Sequence, residues 1–369
     1  MRILVNASNL KAGGGLQVAD SVCRELYKFP QHRFTIVLSS QLTITRHDIE
    51  GYPNTEVYEY NVRNNLSTLV LGRDKFLDGL VDKKKIDAVM TVFGPSRWEP
   101  RCPHLCGFAM AFHVIPESPY YGRMGKVELM KSKIHNKVYE YFFQRTTKNF
   151  YTENPFITDR LRALFKETNV YTVTNYYNQV FDHPEQWVEK TLPAFDGTTL
   201  LTLSNSYPHK NLEITAEVAR ILAEQHPDFN FRFVISINRE QMRADLNGID
   251  NTFVFLGTVG IKECPSLYQQ CDIAFQPTLI ECFTATYPEA MRMERPIVTT
   301  DLEFARGLCG DAAEYYSAID AQSCADAIYK VATDDGIRRR LVSNGKEQLK
   351  KFDNSQQRAE KLIKLVERL

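Results

Sequence analysis

Short apolar runs alternate with longer segments in which apolar residues recur at helical spacing. Near the N-terminus, the apolar run at 2–6 predicts a strand, and apolar positions three and four apart over 16–28 predict an amphipathic helix. A second apolar run at 33–38 predicts the next strand. Such alternation is typical of a parallel sheet with helices on both faces.

The alternation continues to about residue 173 and then weakens at 182–197, where two prolines and a glycine cluster. We interpret 182–197 as a linker between two domains. The predicted helices of the first half are 66–84, 125–147 and 155–165. Its further predicted strands are 86–92, 104–112, 149–152 and 170–173.

The pattern restarts after the linker and predicts a second α/β domain over 198–353. The predicted strands are 198–203, 231–237, 252–256, 272–275 and 296–299. The predicted helices are 211–225, one around 266, 290–293 and the rest of the chain after 299. The amphipathic helix at 354–369 is expected to pack back on the first domain, 1–181. The predicted fold is two doubly wound, Rossmann-like parallel-sheet domains that face a central cleft, where ligands of such sheets bind.

Composition and charge narrow the classes of function. With 369 residues the chain exceeds the size of a single hydrophobic core, and 45 basic residues balance 45 acidic ones, which argues against a nucleic-acid binder. The apolar start at 1–6 is too short for a signal peptide and no run reaches about 18 apolar residues, so we expect a cytoplasmic protein. Cys102 and Cys106 flank His104 without further ligands at matching spacing, so no metal site is expected there.

The segment 281–289 contains two glutamates separated by seven residues, directly after a predicted strand. A helix must begin inside it, and the start of a helix presents unpaired amides and a positive dipole end that favour phosphate. One alternative remains open. Thr286 and Glu289 have the spacing of a capping box, in which Glu289 would only bond the amide of Thr286.

The surroundings of this segment resemble a known family. The flanking stretches 271–281 and 295–301 are similar to the donor site of retaining nucleotide-sugar glycosyltransferases of family 4, which have the GT-B fold. Motif order and spacing agree over nearly the whole chain. The further matching motifs are 13–15, Thr152-Glu153, Asn175, 208–212, 255–257 and 310–313.

The resemblance implies catalytic roles for three residues. Glu281 would contact the transferred sugar, Lys210 would neutralise the leaving diphosphate, and His113, predicted at the carboxyl end of a strand, would hydrogen-bond the sugar. Fixed positive charge suits a departing diphosphate, whose negative charge grows during the reaction. For His113 the competing interpretation is a core histidine whose hydrogen bonds are satisfied within the protein.

The resemblance also implies a donor-binding set, in which Glu289 bonds the ribose and backbone amides reach the sugar and the diphosphate. The other members of this set are Gly14, Gly15, Asn205, Ser206, Lys210, Cys282, Phe283, Thr284 and Ala285. Three of them depart from the family pattern. Asn205 stands where arginine is frequent, and Cys282 and Thr284 stand where glycines are common.

The sequence therefore predicts a retaining glycosyltransferase that moves a sugar from a nucleotide donor, held by the second domain, to a glycan or lipid-linked acceptor in surface-polysaccharide assembly. No cofactor or essential metal is expected, since no Asp-x-Asp pattern occurs. The alternatives are a nucleotide-sugar epimerase of the same fold and a degenerate binding protein. An NAD enzyme is disfavoured because 13–15 lacks the dinucleotide fingerprint.

A further predicted partner is an anionic membrane at the inner face. The segment 123–148 has seven basic residues against two acidic ones, with aromatic residues between them. A basic helix of this kind can lie on a membrane surface. The alternative is an ordinary solvated helix face above core aromatics.

Overall fold

The computed structural model divides into two compact units, each built around its own parallel sheet. The structure describes residues 1–11, 13–62 and 65–369. The first unit comprises Met1–Pro116, Met124–Asn175 and Asp353–Leu369. The second unit comprises Glu117–Arg123 and Tyr176–Phe352.

The first sheet has seven parallel strands in the order β3-β2-β1-β4-β5-β6-β7. These strands are β1 (Arg2–Ala7), β2 (Arg33–Leu38), β3 (Thr55–Glu59), β4 (Ala88–Thr91), β5 (His104–Gly107), β6 (Asn149–Thr152) and β7 (Asn169–Thr172). The strand order reverses between β1 and β4. The side chains of β1 after Arg2 are buried, as expected of a central strand covered on both faces.

The second sheet has six parallel strands in the order β10-β9-β8-β11-β12-β13. They are β8 (Thr198–Thr202), β9 (Phe231–Ile235), β10 (Phe253–Phe255), β11 (Ile273–Gln276), β12 (Ile297–Thr300) and β13 (Ala313–Tyr316). Here the order reverses between β8 and β11. Both sheets are thus doubly wound and Rossmann-like, which confirms the predicted fold class of each unit.

Thirteen α-helices occur among the described residues. They are α1 (Gly14–Glu25), α2 (Thr43–Ile49), α3 (Lys75–Lys84), α4 (Ala111–Val114), α5 (Lys126–Thr146), α6 (Pro155–Leu164), α7 (Ile214–Gln225), α8 (Cys264–Gln269), α9 (Thr286–Arg292), α10 (Glu303–Cys309), α11 (Ala321–Thr333), α12 (Asp335–Leu349) and α13 (Ser355–Glu367). None of them has the length and apolar character that crossing a bilayer requires.

The C-terminal helix α13 packs on the core of the first unit. Its apolar residues recur three and four positions apart, so they share one face, and that face lies in one cluster with β1, α1 and β4. The residues of this face are Ala359, Leu362, Ile363 and Val366. A capping box formed by Asn354 and Gln357 fixes where the helix begins.

The segment 182–197, interpreted above as a linker, lies within the second unit. It is bonded along its length to that unit. The amide of Val188 donates to the carbonyl of Lys262 over 2.9 Å, and the guanidinium of Arg232 donates to the carbonyl of Pro193 over 2.6 Å. Its prolines therefore belong to an extended segment that is hydrogen-bonded to the second unit, and not to a linker without such contacts.

Several predicted elements differ from the structure. The strand predicted at 104–112 ends at Gly107 and is followed by the short helix α4, because a short apolar run does not distinguish strand from helix. The helix predicted over 66–84 is interrupted at Gly72, which has φ +67°, and α3 begins after the N-cap Asp74. The region after 299 was predicted as helical but contains β13, and α2 and β3 were not predicted.

Candidate active site

The strand order of the second sheet reverses between β8 and β11, and this point positions the candidate site. The two strands are neighbours, with Leu200 paired to Ile273. The loops that follow them carry Lys210 and Glu281. Ligands of doubly wound sheets bind outside the carboxyl ends of the strands at such a reversal, so these two side chains lie where a ligand is expected.

Lys210 and Glu281 form an ion pair between Nζ and Oε1. Both side chains are only 14 to 16% exposed, so the pair is shielded from most of the solvent. The hydroxyl of Thr278 donates to the same carboxylate oxygen over 3.1 Å. The structure therefore brings two of the three predicted catalytic residues into direct contact.

Backbone hydrogen bonds hold these two residues together. Lys210 ends a short 3₁₀ turn, Pro208–Lys210, whose middle carbonyl, that of His209, accepts from the amide of Leu279 over 2.8 Å. The His209 ring lies 4.0 Å from the carboxylate of Glu281. Burial lowers the pKa of His209 to about 4, against the opposing effect of Glu281, so its ring is neutral at pH 7.

Helix α9 begins at Thr286, directly after the predicted donor loop, as expected. The first amides of a helix have no carbonyl partner within it, so the backbone of this region offers donors. The side chain of Cys282 is 6% exposed and that of Thr284 is 9% exposed, and the two therefore present little surface to solvent. Phe283 packs edge-on against Phe352, and Ala285 is the N-cap residue of α9.

The capping box left open by the sequence does not form, because no side chain of the described residues caps α9. Glu289 instead accepts a hydrogen bond from the hydroxyl of Tyr268 at Oε2, over 3.2 Å. The side chain of Glu289 is buried, and this burial raises its pKa to about 7, although the Tyr268 bond acts in the opposite direction. A buried carboxyl poised near neutral pH is unusual, and it marks a candidate functional group.

Asn205 and Ser206 lie in the loop that follows the carboxyl end of β8, the same loop that carries Lys210. The side chain of Asn205 accepts from the amide of Tyr207 over 3.3 Å, and the hydroxyl of Ser206 accepts from Gln241 over 3.2 Å. Ser236 ties this loop to the one after β9, because its hydroxyl accepts from the amide of Ser204 over 2.7 Å. The predicted donor-binding residues of the second unit thus lie in the loops that follow the carboxyl ends of β8 and β11.

The glycines Gly14 and Gly15 open α1 in the first unit, after the central strand β1. The preceding Gly13 is the N-cap with φ +75°, a conformation that glycine adopts readily and other residues rarely do. A Cβ at Gly14 would meet none of the described residues within 4 Å, and a Cβ at Gly15 would lie 3.4 Å from Leu10. The space beside Gly14 is therefore open to a ligand.

His113 lies on α4 in the first unit, and not at the end of a strand as predicted. Its ring is 7% exposed and is surrounded by the rings of Phe108, Tyr139 and Phe143. Neither ring nitrogen has a hydrogen-bond partner among the described residues. Burial lowers the pKa of His113 to about 4, and it outweighs the nearby Glu140 carboxylate and Met110 carbonyl. His113 is therefore neutral and unlike a satisfied core histidine.

Sequence reasoning missed three residues of the second unit. Tyr268 bonds Glu289, but an apolar position on a short helix gives no sign of this contact. His209 directly precedes Lys210 within the motif 208–212, and that position could have marked it as a candidate site residue. Gln276 ends β11, and its buried side-chain nitrogen has no partner among the described residues. Only the folded chain reveals that nitrogen as a donor in need of an acceptor.

Among the comparisons with known proteins, the match to a family model falls within the second unit. Residues 197–334 match the family described as glycosyl transferases group 1. A stretch of 161 residues is 26% identical to the phosphatidyl-myo-inositol mannosyltransferase of Mycobacterium leprae (strain TN). That match covers 42% of this chain and 43% of the relative, so the chain spans less than half of the relative's length.

Solved structures are similar over the whole chain. A glycosyltransferase from Rickettsia africae ESF-5 has a TM-score of 0.72 at 14% identity, with 100% of this chain and 97% of that chain covered. Anabaena HepE in complex with UDP and glucose has a TM-score of 0.69 at 14% identity, with both chains fully covered. At this identity the likeness shows the fold. The predicted resemblance to glycosyltransferases is thus confirmed by the match of residues 197–334 to group 1, and the GT-B fold by the solved structures.

Proposed function

We propose that the chain is a retaining glycosyltransferase that moves a sugar from a nucleoside diphosphate sugar to a glycan or lipid-linked acceptor. The observation that carries the proposal is the Lys210–Glu281 ion pair at the strand-order reversal of the second sheet. The pair supports the proposal because a cation and a carboxylate lie together at the carboxyl ends of the strands, where ligands of this fold bind. The match of 197–334 to group 1 glycosyl transferases supports the same reading.

In this proposal Lys210 stabilises the leaving diphosphate. Cleavage of the bond between the anomeric carbon and the phosphate oxygen leaves negative charge on that oxygen, which a preorganised cation stabilises. The pair is made before donor binds, so the diphosphate competes with Glu281 for Nζ. Glu281 is then released to accept a hydrogen bond from a sugar hydroxyl. The backbone amides of 283–285 are proposed to bond the sugar and diphosphate.

Glu289 is proposed to accept hydrogen bonds from the ribose. Only its ionised form accepts through both oxygens, and ribose hydroxyls would replace the solvent that burial has removed. Donor binding is therefore expected to lower the pKa of Glu289. Asn205, Ser206 and Cys282 are proposed to line the donor through the backbone of their loops. His113, which is neutral and has no hydrogen-bond partner at either ring nitrogen among the described residues, is proposed to bond the reacting sugar. Gly14 and Gly15 are proposed to admit the ligand close to the backbone.

The proposed route is a front-face displacement. The acceptor hydroxyl attacks the anomeric carbon from the side that the diphosphate leaves, the carbon–phosphate oxygen bond breaks, and the acceptor proton passes to the departing phosphate oxygen. This route retains the anomeric configuration without a protein nucleophile. With Lys210 supplying the charge, no divalent ion is required, so activity is expected to persist in EDTA.

The acceptor class rests on the names of similar proteins. The Mycobacterium leprae relative is by its name a mannosyltransferase for phosphatidyl-myo-inositol, a lipid, and Anabaena HepE binds UDP and glucose. A nucleoside diphosphate sugar is thus the proposed donor. A lipid-linked or glycan acceptor in surface-polysaccharide assembly is the proposed second substrate.

The test is a donor and acceptor screen followed by NMR of the product. Candidate nucleotide sugars are incubated with and without lipid extract or oligosaccharide acceptors, on wild type and Lys210→Met. Transfer that depends on acceptor, with the donor's anomeric configuration kept, is the expected result. Inverted product would contradict retention. Isomerised donor without acceptor would indicate an epimerase, and binding without turnover would indicate a degenerate transferase.

A further inference from the structure

A cavity of about 610 Å³ lies in the second unit, at the edge of the sheet where the strands begin. Thr198 at the start of β8, Asp272 just before β11 and Pro296 just before β12 line this cavity, here called the amino-end cavity. The candidate donor site lies at the carboxyl ends of the same strands. Since these strands have four or five residues, about 13 to 17 Å of sheet separates the two places.

The amino-end cavity has a positive lining. Among the described residues it contains four basic and two acidic side chains, so its formal net charge is +2, although the whole chain is neutral. Three apolar residues, Pro296, Ala332 and Val342, also line it. Cations beside apolar surface suit a ligand that has an anionic group and an organic part. The basic residues are Arg295, Arg338, Arg339 and Lys346, and the acidic ones are Asp272 and Glu294.

Both carboxylates of the amino-end cavity already have partners. Asp272 accepts a hydrogen bond from the amide of Thr199 over 2.8 Å, at the start of β8. Glu294 forms an ion pair with Lys346 over 2.9 Å, so these two charges offset each other. The two acidic side chains are therefore occupied by the protein itself, and they leave the remaining arginines without a carboxylate partner inside the cavity.

Two of these arginines keep donors that no described residue uses. The Nη2 of Arg295 donates to the carbonyl of Gln269 over 3.4 Å, but its buried Nε has no partner among the described residues. The guanidinium of Arg339 makes neither a hydrogen bond nor an ion pair within the described part of the chain. Arg338, in contrast, is paired with Asp335. Since a guanidinium can donate two parallel hydrogen bonds to phosphate, Arg295 and Arg339 are the groups that an anion would contact.

We propose that the amino-end cavity binds a small organic phosphate monoester, whose phosphate group is held by Arg295 and Arg339. At pH 7 such a phosphate carries about −1.5 to −2 charges, which matches the net charge of the lining. Small-molecule sites have volumes of about 300–1,000 Å³, and this cavity falls within that range. The apolar residues of the lining would cover the organic part of the ligand.

The amino-end cavity also adjoins helix α9, whose other end follows the donor loop. The amide of Arg295 donates to the carbonyl of Ala290 on α9 over 2.8 Å. Helix α12, which carries Arg339, packs on α9, since a Cβ at Gly345 would lie 3.3 Å from Cγ of Met291. A phosphate held by both arginines therefore joins two segments that contact α9. Occupancy is expected to hold α9 in place and so to tighten nucleotide binding, and this part rests on the proposed donor site.

The test is isothermal titration calorimetry of the full chain with glucose 6-phosphate, compared with inorganic phosphate and with glucose. Wild type is expected to bind glucose 6-phosphate, to bind inorganic phosphate more weakly and not to bind glucose. The double variant Arg295→Gln/Arg339→Gln is expected to weaken glucose 6-phosphate binding at least about tenfold, because it removes hydrogen bonds to a charged group. If this variant does not fold, Arg339→Gln alone, at an exposed position, gives the same test.

Two control variants locate the bound phosphate. Arg340→Gln removes an exposed arginine of α12 that does not line the cavity, and it is expected to bind as wild type does. Lys210→Met removes the cation of the proposed donor site and is also expected to keep glucose 6-phosphate binding. Loss of binding in Lys210→Met alone would place the phosphate in the donor site and overturn the proposal. No binding by wild type, or equal binding by wild type and Arg295→Gln/Arg339→Gln, would overturn it as well.

The link to the donor site is measured as the Kd of the nucleotide with and without saturating glucose 6-phosphate. The expected result is tightening by at least about fivefold in wild type and none in Arg295→Gln/Arg339→Gln. An unchanged Kd in wild type would contradict the link between the two sites. If wild type binds no nucleotide, the proposed donor site fails, and the titration with glucose 6-phosphate still tests the amino-end cavity.

Discussion

The hydroxyl of Tyr268 donates a hydrogen bond to Oε2 of Glu289 over 3.2 Å, within the buried part of the second unit. Burial holds the pKa of Glu289 near 7, and the tyrosine offsets only part of that effect. The carboxyl is thus close to its titration point at neutral pH. A ligand that donates hydrogen bonds to it would draw it towards the ionised form.

The first prediction concerns the pH dependence of stability. The pKa of Glu289 is raised from 4.5 to about 7 in the folded chain, so between these values the unfolded chain loses the proton first. This lowers the free energy of unfolding as pH rises through that window, by at most about 3 kcal/mol. Glu289→Gln removes the loss. Urea unfolding at pH 4, 5, 6, 7 and 8 is expected to show the variant gaining on wild type as pH rises.

Two results would contradict this prediction. A difference between variant and wild type that is constant across the pH range would mean that Glu289 titrates alike in both states. A difference that falls with pH would mean that its folded pKa is lowered. In either case Glu289 would not be the poised carboxyl that the donor site requires.

His113 and His104 form a matched pair of buried histidines. His104 is satisfied, with Nε2 2.8 Å from the hydroxyl of Thr91 and Nδ1 2.9 Å from the carbonyl of Thr146. His104→Phe is expected to cost about 1–3 kcal/mol of unfolding free energy and to leave the chemistry of transfer unchanged. His113→Phe removes unpartnered nitrogens, so stability should be kept or raised while transfer falls about 100-fold.

Chemical denaturation and transfer assays on both variants check this pair. A His113→Phe protein that is destabilised as much as His104→Phe would show a structural role for His113. Full transfer activity in a stable His113→Phe protein would remove His113 from the site.

Lys210 and Lys346 both form ion pairs in the second unit, the latter with Glu294 over 2.9 Å. Lys210→Met is expected to lower kcat/KM by about 10²–10³, because the leaving diphosphate loses its cation. Lys346→Met, with an exposed pair, should leave kcat/KM unchanged. The measurement is steady-state transfer with the donor found in the screen.

The double variant Lys210→Met/Glu281→Gln separates stability from chemistry. Removing Lys210 alone leaves the shielded Glu281 without its partner, which destabilises the loop. Adding Glu281→Gln is expected to restore the free energy of unfolding but not the transfer activity. Recovery of activity together with stability would show that the ion pair only holds the loop.

The glycine turn before α1 gives a prediction about space. Gly13 has φ +75°, so Gly13→Ala is expected to cost about 1–2 kcal/mol of unfolding free energy. A Cβ at Gly14 meets nothing within 4 Å in the part of the chain that the structure describes, so Gly14→Ala should leave stability unchanged. If ligand approaches this backbone, Gly14→Ala raises KM in the transfer assay. An unchanged KM would mean that the open space is not used.

The sequence predicted the positions of the loops that carry the candidate site residues better than the contacts that these residues make in the folded chain. The order of apolar runs predicted most strands of both sheets but missed β3 and β13, and the helix-forming residues from Glu289 onward correctly indicated that a helix begins within 281–289. Thr286 and Glu289 have the residue types and the spacing of a capping box, but this capping box does not form. Its alternative partner, Tyr268, is on α8, and no local pattern links residues that meet only in the folded chain.

His113 shows a second limit of the sequence. The apolar run before it predicted a strand through Phe112, but β5 stops at Gly107, where an added Cβ would clash with the carbonyl of Val92. That crowding is between strands and is invisible in the run itself. The unpartnered state of its nitrogens likewise depends on the rings of Phe108, Tyr139 and Phe143 around it.

The most direct test of the donor site is thermal unfolding with UDP, GDP, ADP, CDP and dTDP, on wild type, Glu289→Ala and the control Glu303→Ala. Glu303 is exposed on α10 of the same unit. A nucleotide at about 100 times its Kd adds about 2.7 kcal/mol of stability. One base is predicted to raise the Tm of wild type and Glu303→Ala but not of Glu289→Ala. No shift with any nucleotide, or an equal shift in Glu289→Ala, would contradict a donor site built around Glu289.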